Sequence, residues 1–178
     1  MMRRIAALLV LLLVVTACGT DEEGWDPDQR FAPSLRPAFG ARVTDGALQV
    51  WTGTECTALT RLSLIFDMDA TLTLVPADGQ PMAFDRLTLG GPYPGMRVET
   101  ALPQGFDWRS AETLTLTPDA GKGIFGANAN LPEVISGSPD HPDDTYYFQD
   151  VGWLDAAGVA DRNLTSFLAT CTPDPREK

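Results

Sequence analysis

A chain of 178 residues with 24 acidic against 13 basic side chains has a net charge of −11 and room for one domain with a real core. That charge excludes nucleic-acid or anionic-headgroup binding through basic patches and favours cations or cationic partners. One histidine, with cysteines taken up in a bridge, does not supply the three or four nitrogen and sulfur ligands that most zinc sites take.

Met1-Met2-Arg3-Arg4 opens the chain with positive charge, and Ile5 to Val15 follow as eleven unbroken apolar residues. As a helix this run reaches about 16 Å, roughly half of a ~30 Å hydrocarbon core, which suits a secretory leader better than a spanning segment. The exit Val15-Thr16-Ala17-Cys18 resembles the lipobox of bacterial lipoprotein precursors. The resemblance implies a signal peptide over 1–17 and cleavage before Cys18. It also implies fatty acyl chains of the palmitate type on the Cys18 sulfur, and a lipid-anchored protein facing the extracytoplasmic side of the cell membrane. Two or more acyl chains, at about 0.8 kcal/mol per buried methylene, hold a protein on a bilayer without a spanning helix. Eleven arginines against Lys122 and Lys178, with abundant Ala, Gly, Pro and Asp, resemble the bias of GC-rich bacteria such as actinobacteria. Loss of Arg3 and Arg4 with the leader leaves 11 basic against 24 acidic residues, a mature charge near −13.

Residues 18–38 read as a lipidated cysteine and an acidic, proline-broken tether, from Asp21-Glu22-Glu23 through Pro27, Pro33 and Pro37. Trp25, Phe31 and Phe39 are unusual in a pure spacer, so part of this arm is open to lying on the domain. From there a two-residue period dominates. Leu62, Leu64 and Phe66 alternate with Arg61, Ser63 and Asp67, with Ile65 as the outward exception. Leu72 and Leu74, Leu87 and Leu89, and Leu114 and Leu116 alternate with threonine or arginine. Further strands are expected at Leu48–Thr52, Met96–Ala101 and Tyr146–Leu154. Gly- and Pro-rich turns separate them at Pro76–Gly79, Gly90–Gly95 and Pro118–Gly121. This patterning predicts an all-β antiparallel two-sheet sandwich over 39–172, followed by a disordered tail at 173–178. Residues 160–169 fit either a short C-terminal helix capped by Asp161 or a final strand carrying Cys171. Ala169, two positions before Cys171, stands where a tyrosine corner would put tyrosine, so the architecture is Ig-like at most.

With Cys18 lipidated, Cys56 and Cys171 are left for one disulfide in an oxidising compartment, the alternative being two free buried thiols. Gly121-Lys122-Gly123-Ile124-Phe125-Gly126 matches a dinucleotide fingerprint by letter. Ala127–Pro132 after it lacks the helical pattern such a motif needs, so a glycine-rich hairpin is expected and no nucleotide or other cofactor. His141, between Pro139 and Pro142, could act as a base with Asp140 or Asp143 and a serine supplied by the fold, but no nucleophile motif accompanies it and the loop reads as solvated. Asp140, Asp143 and Asp144, or Asp67 and Asp69, are weak candidates for calcium, since neither group follows the twelve-residue loop pattern. Trp51, Trp108, Trp153, Tyr146 and Tyr147 are read first as core and second as an exposed binding platform. The expectation is a lipid-anchored binding or scaffolding module with an envelope protein or glycan as partner. The alternatives are an exported hydrolase built on His141 and a calcium-dependent surface module.

Overall fold

Threonine–leucine alternation gives each strand one apolar and one polar face, and two such sheets bury their leucines against each other. The computed structural model describes residues 35–122 and 124–176. In chain order the strands are β1 (Pro37–Ala38), β2 (Gly40–Thr44), β3 (Ala47–Leu59), β4 (Arg61–Phe66), β5 (Ala70–Pro76), β6 (Met82–Thr88), β7 (Met96–Thr100), β8 (Thr113–Asp119) and β9 (Ala127–Asn130). A short helix α1 (Leu131–Gly137), strands β10 (Tyr146–Phe148) and β11 (Gly152–Leu154), helix α2 (Ala156–Arg162) and strand β12 (Leu168–Ala169) complete the order.

One five-stranded antiparallel sheet has the order β11-β10-β2-β3-β6, and a second has the order β7-β5-β4-β8-β9. Thr60 alone separates β3 from β4 and carries the chain from one sheet to the other, its N–H donating to the Asp119 carbonyl at 2.8 Å. Phe39, Leu48 and Val50 on the first sheet's inner side meet Leu62, Leu64, Phe66, Leu72, Leu74, Leu114 and Leu116 of the second. The outer side of the first sheet is not bare. Trp51, Tyr146 and Phe148 form a second buried cluster with Leu154, Val159, Phe167 and Ala169, brought there by α2 and the C-terminal segment.

That segment is fastened in two ways. β12 pairs in parallel with β1, and Cys171 forms a disulfide with Cys56 of β3, with Cα atoms 5.0 Å apart. Gly53 makes the approach possible. It adopts φ +82°, within a stretch of β3 where the register against β6 shifts, and a Cβ there would lie 2.8 Å from that of Ala169.

Several expectations are corrected. Pro37 and Ala38, assigned to the tether, form β1, and Ala38 is fully buried. Within the tail assigned to 173–178, Asp174 is buried and its carboxylate accepts from the Arg176 N–H at 2.9 Å. Tyr146–Leu154 is a hairpin of two three-residue strands, because Asp150 (φ +61°) and Gly152 (φ +105°) take left-handed conformations that turn the chain. Residues 160–169 divide between the two readings: α2 ends at Arg162 and is capped by Asp155, whose Oδ1 accepts from Gly158 N at 2.7 Å, and not by Asp161, while Leu168–Ala169 form the final strand shortly before Cys171. Ala127–Pro132, expected to lack a helical pattern, is instead β9, paired with β8, followed by the start of α1, which Asn130 caps with Pro132 in its first turn.

Candidate functional site at the histidine loop

The loop between α1 and β10 is held down by groups whose purpose the sequence does not announce. Arg42 of β2 is 2% exposed and spends its guanidinium on the loop. Nη1 donates to the carbonyls of Pro142 (2.5 Å) and Thr145 (2.6 Å), Nη2 meets Asp143 Oδ1 at 3.1 Å, and Nε donates to Thr44 Oγ1 at 2.8 Å. A buried guanidinium is costly unless its donors are matched, and these matches make it a bolt between sheet and loop. Ser138 adds a second bolt: its hydroxyl accepts from Val43 N at 2.9 Å and donates to the Val134 carbonyl at 2.6 Å.

His141 follows the 3-10 turn Ser138–Asp140 and is half-buried, which corrects the expectation of a fully solvated ring. Its imidazole lies parallel on the Trp153 indole, with centroids 4.3 Å apart and planes 11° apart. Nδ1 is 2.9 Å from the Gly137 carbonyl, which only accepts, so Nδ1 carries a proton and donates it there. Gly137 is required here, since a Cβ would come within 2.8 Å of the indole. Among the described residues no hydroxyl is hydrogen-bonded to this ring. The nearest serine in sequence, Ser138, has both its donor and its acceptor committed elsewhere.

The acidic candidates are dispersed in their commitments. Asp143 faces Arg42, while Asp140 and Asp144 are exposed. Among the described residues no three His, Cys, Asp or Glu side chains gather in a group that could hold a metal ion. Asp67 is exposed, yet it lies past the end of β4 and turns the β4–β5 hairpin, with φ +49° at Asp67 and +66° at Met68. Its Oδ1 accepts from Thr113 N at 2.8 Å and from Glu112 N at 3.0 Å, and these bonds hold its carboxyl below the usual range. The glycine-rich 121–126 run links β8 to β9 in an antiparallel hairpin; Gly123 lies outside the described residues.

The aromatic residues divide between the two readings. Trp51 and Tyr146 are 5% and 6% exposed, with the Arg86 guanidinium 4.7 Å from the Trp51 ring centroid. Trp108 packs on the sandwich core under Arg109. Trp153 and Tyr147, cross-strand neighbours on the β10–β11 hairpin, remain half-exposed. The Tyr147 phenol donates to Glu133 of α1, and partial burial together with the Glu133 and Asp150 carboxylates pushes it up to about 12. Glu133, Asp150 and Arg42 carry no local motif, and only the fold brings them to the loop.

The lipidation candidate Cys18, the 1–17 leader and the tether up to residue 34 lie outside the described residues. Among the described residues no helix is long and apolar enough to cross a membrane. The chain matches no family model, no curated protein and no solved structure.

Proposed function

We propose that this chain is an extracytoplasmic lipoprotein whose β-sandwich works as a binding or scaffolding module at the cell membrane, with an envelope protein or glycan as partner. The observation that carries the reading is the Val15-Thr16-Ala17-Cys18 exit behind an eleven-residue apolar run. The disulfide between Cys56 and Cys171 supports it, since such bridges persist in exported, oxidising settings. A catalytic reading at His141 has less support, because its ring stacks on Trp153 and its nearest serine serves as a structural bolt.

The test is chemical and genetic. Intact mass of the native product is expected to show the chain starting at Cys18 with diacylglyceryl added. Cys18→Ala is expected to leave the membrane fraction or to accumulate as uncleaved precursor. A native product with an unmodified thiol at position 18, or a Cys18→Ala variant that is processed and membrane-bound as before, rejects the anchor.

A further inference from the structure

The β10–β11 hairpin lies at one edge of the first sheet and gathers a row of partly exposed rings and charged groups, of which Tyr147 also packs against the sandwich core. Three rings run in sequence, His141 parallel on Trp153 and Trp153 beside Tyr147 at 5.7 Å between centroids. All three are half-exposed. Past Tyr147 the row turns polar: its phenol donates to Glu133, and Asp150, in the turn of the same hairpin, pairs with the exposed Arg36.

We propose that this row is a saccharide-binding site, in which Trp153 and Tyr147 present a stacking surface and Glu133, Asp150 and Arg36 bond the hydroxyls of a pyranose. The proposal rests on the exported binding module argued above and gives it a site and a ligand class. A pyranose has an apolar C–H face and a rim of hydroxyls, each able to donate and to accept. The row has the same division, with rings for the face, carboxylates that accept and a guanidinium that donates. Other ligand classes fit it less well. An anion would meet Glu133 and Asp150, a simple cation would meet Arg36, and a wholly apolar ligand would strip water from charged groups without replacing their bonds. The remaining described tryptophans do not combine these features, since Trp51 is buried and Trp108 lies on the core beneath Arg109.

The experiment is calorimetric titration of the full chain, held in a sugar-free zwitterionic detergent, with chitotetraose, cellotetraose and mannotetraose. At least one is expected to give saturable binding. Trp153→Ala is expected to weaken it about tenfold or more, equivalent to about 1.4 kcal/mol. Trp108→Ala should leave it unchanged. Arg36→Gln, at an exposed side chain, is expected to weaken binding severalfold and guards against a Trp153 variant that fails to fold. The proposal is overturned if none of the three sugars binds, or if Trp153→Ala and Arg36→Gln both bind as the parent does. Membrane fractionation of Cys18→Ala reads the anchor independently, so the failure of one claim is distinguishable from the failure of the other.

Discussion

Tyr147 illustrates how one side chain couples sheet, helix and solvent. Its ring belongs to β10, its hydroxyl donates to Glu133 on α1, and the phenol is pushed up to about 12 chiefly by burial and then by the two carboxylates. A phenol with a raised folded value stabilises the fold fully below the ordinary tyrosine value of about 10, and that contribution is lost as pH rises toward 12. Denaturation between pH 9 and 12 should therefore show an alkaline loss of stability that Tyr147→Phe lacks in part. Identical alkaline limbs in parent and variant would remove the Glu133 coupling. Gly53 is a second such point, because φ +82° and a 2.8 Å approach to the Ala169 Cβ act together. Left-handed backbone strain of about 1–2 kcal/mol plus overpacking of about 1–3 kcal/mol predicts that Gly53→Ala costs about 2–5 kcal/mol in urea unfolding. Gly79→Ala is the useful control, since its φ of +74° is comparable but nothing lies within 4 Å of an added Cβ, so only the backbone part should appear.

At the scale of elements, the C-terminal segment is a third layer held over the first sheet by β12 and the bridge to Cys56. A bridge spanning 115 residues removes enough chain entropy from the unfolded state to stabilise the fold by about 4–5 kcal/mol in the loop-closure model. The double variant Cys56→Ser, Cys171→Ser should lose a comparable amount, while guarded exchange should show α2 and β12 opening before the paired centre of the second sheet. Loss confined to well under 1 kcal/mol would mean that Phe167 and the β1–β12 pair hold the segment without the bridge. Which elements were legible follows from the same physics. β4, β5 and β8 could be read because a leucine at every second position is a strand's own period, and the structure buries those leucines. β9 could not, because Ala127 and Ala129 are its inward residues and alanine carries little strand signal. α1 had a readable signature in Asn130, Pro132 and Glu133, with Asn130 Oδ1 accepting from Glu133 N at 2.9 Å, but seven residues leave no helical period to see. Arg42 was illegible as a matter of principle. An arginine inside a short strand reads as an outward residue, and its burial depends on carbonyls about a hundred positions away.

For the whole molecule, the charge imbalance and the fold act against each other in a measurable way. The sequence holds twenty-four acidic residues against thirteen basic ones, and among the described residues the ion pairs are mostly exposed: Arg36–Asp150, Arg61–Glu99, Arg86–Asp85 and Arg109–Asp107. Exposed pairs of this kind contribute about 0–1 kcal/mol each and are weakened by salt. Net repulsion is weakened by salt as well, over a screening length that falls from about 30 Å at 0.01 M to about 8 Å at 0.15 M. The two effects have opposite signs, and their relative size decides the outcome. Four surface pairs are short-ranged contacts already near water's dielectric response, whereas an excess of eleven negative charges sums over many longer distances that salt screens most effectively. Repulsion is therefore the larger quantity. The melting temperature of the full chain should rise as sodium chloride is raised from 0.01 to 0.3 M at pH 7, a range below that in which salting-out by excluded ions dominates. The same rise should shrink near pH 4.5, where the carboxylates begin to protonate and the imbalance falls. A melting temperature that declines with added salt would show instead that the few ion pairs outweigh the repulsion, and would make Arg61–Glu99 and Arg36–Asp150 the places to look for the stabilising charge.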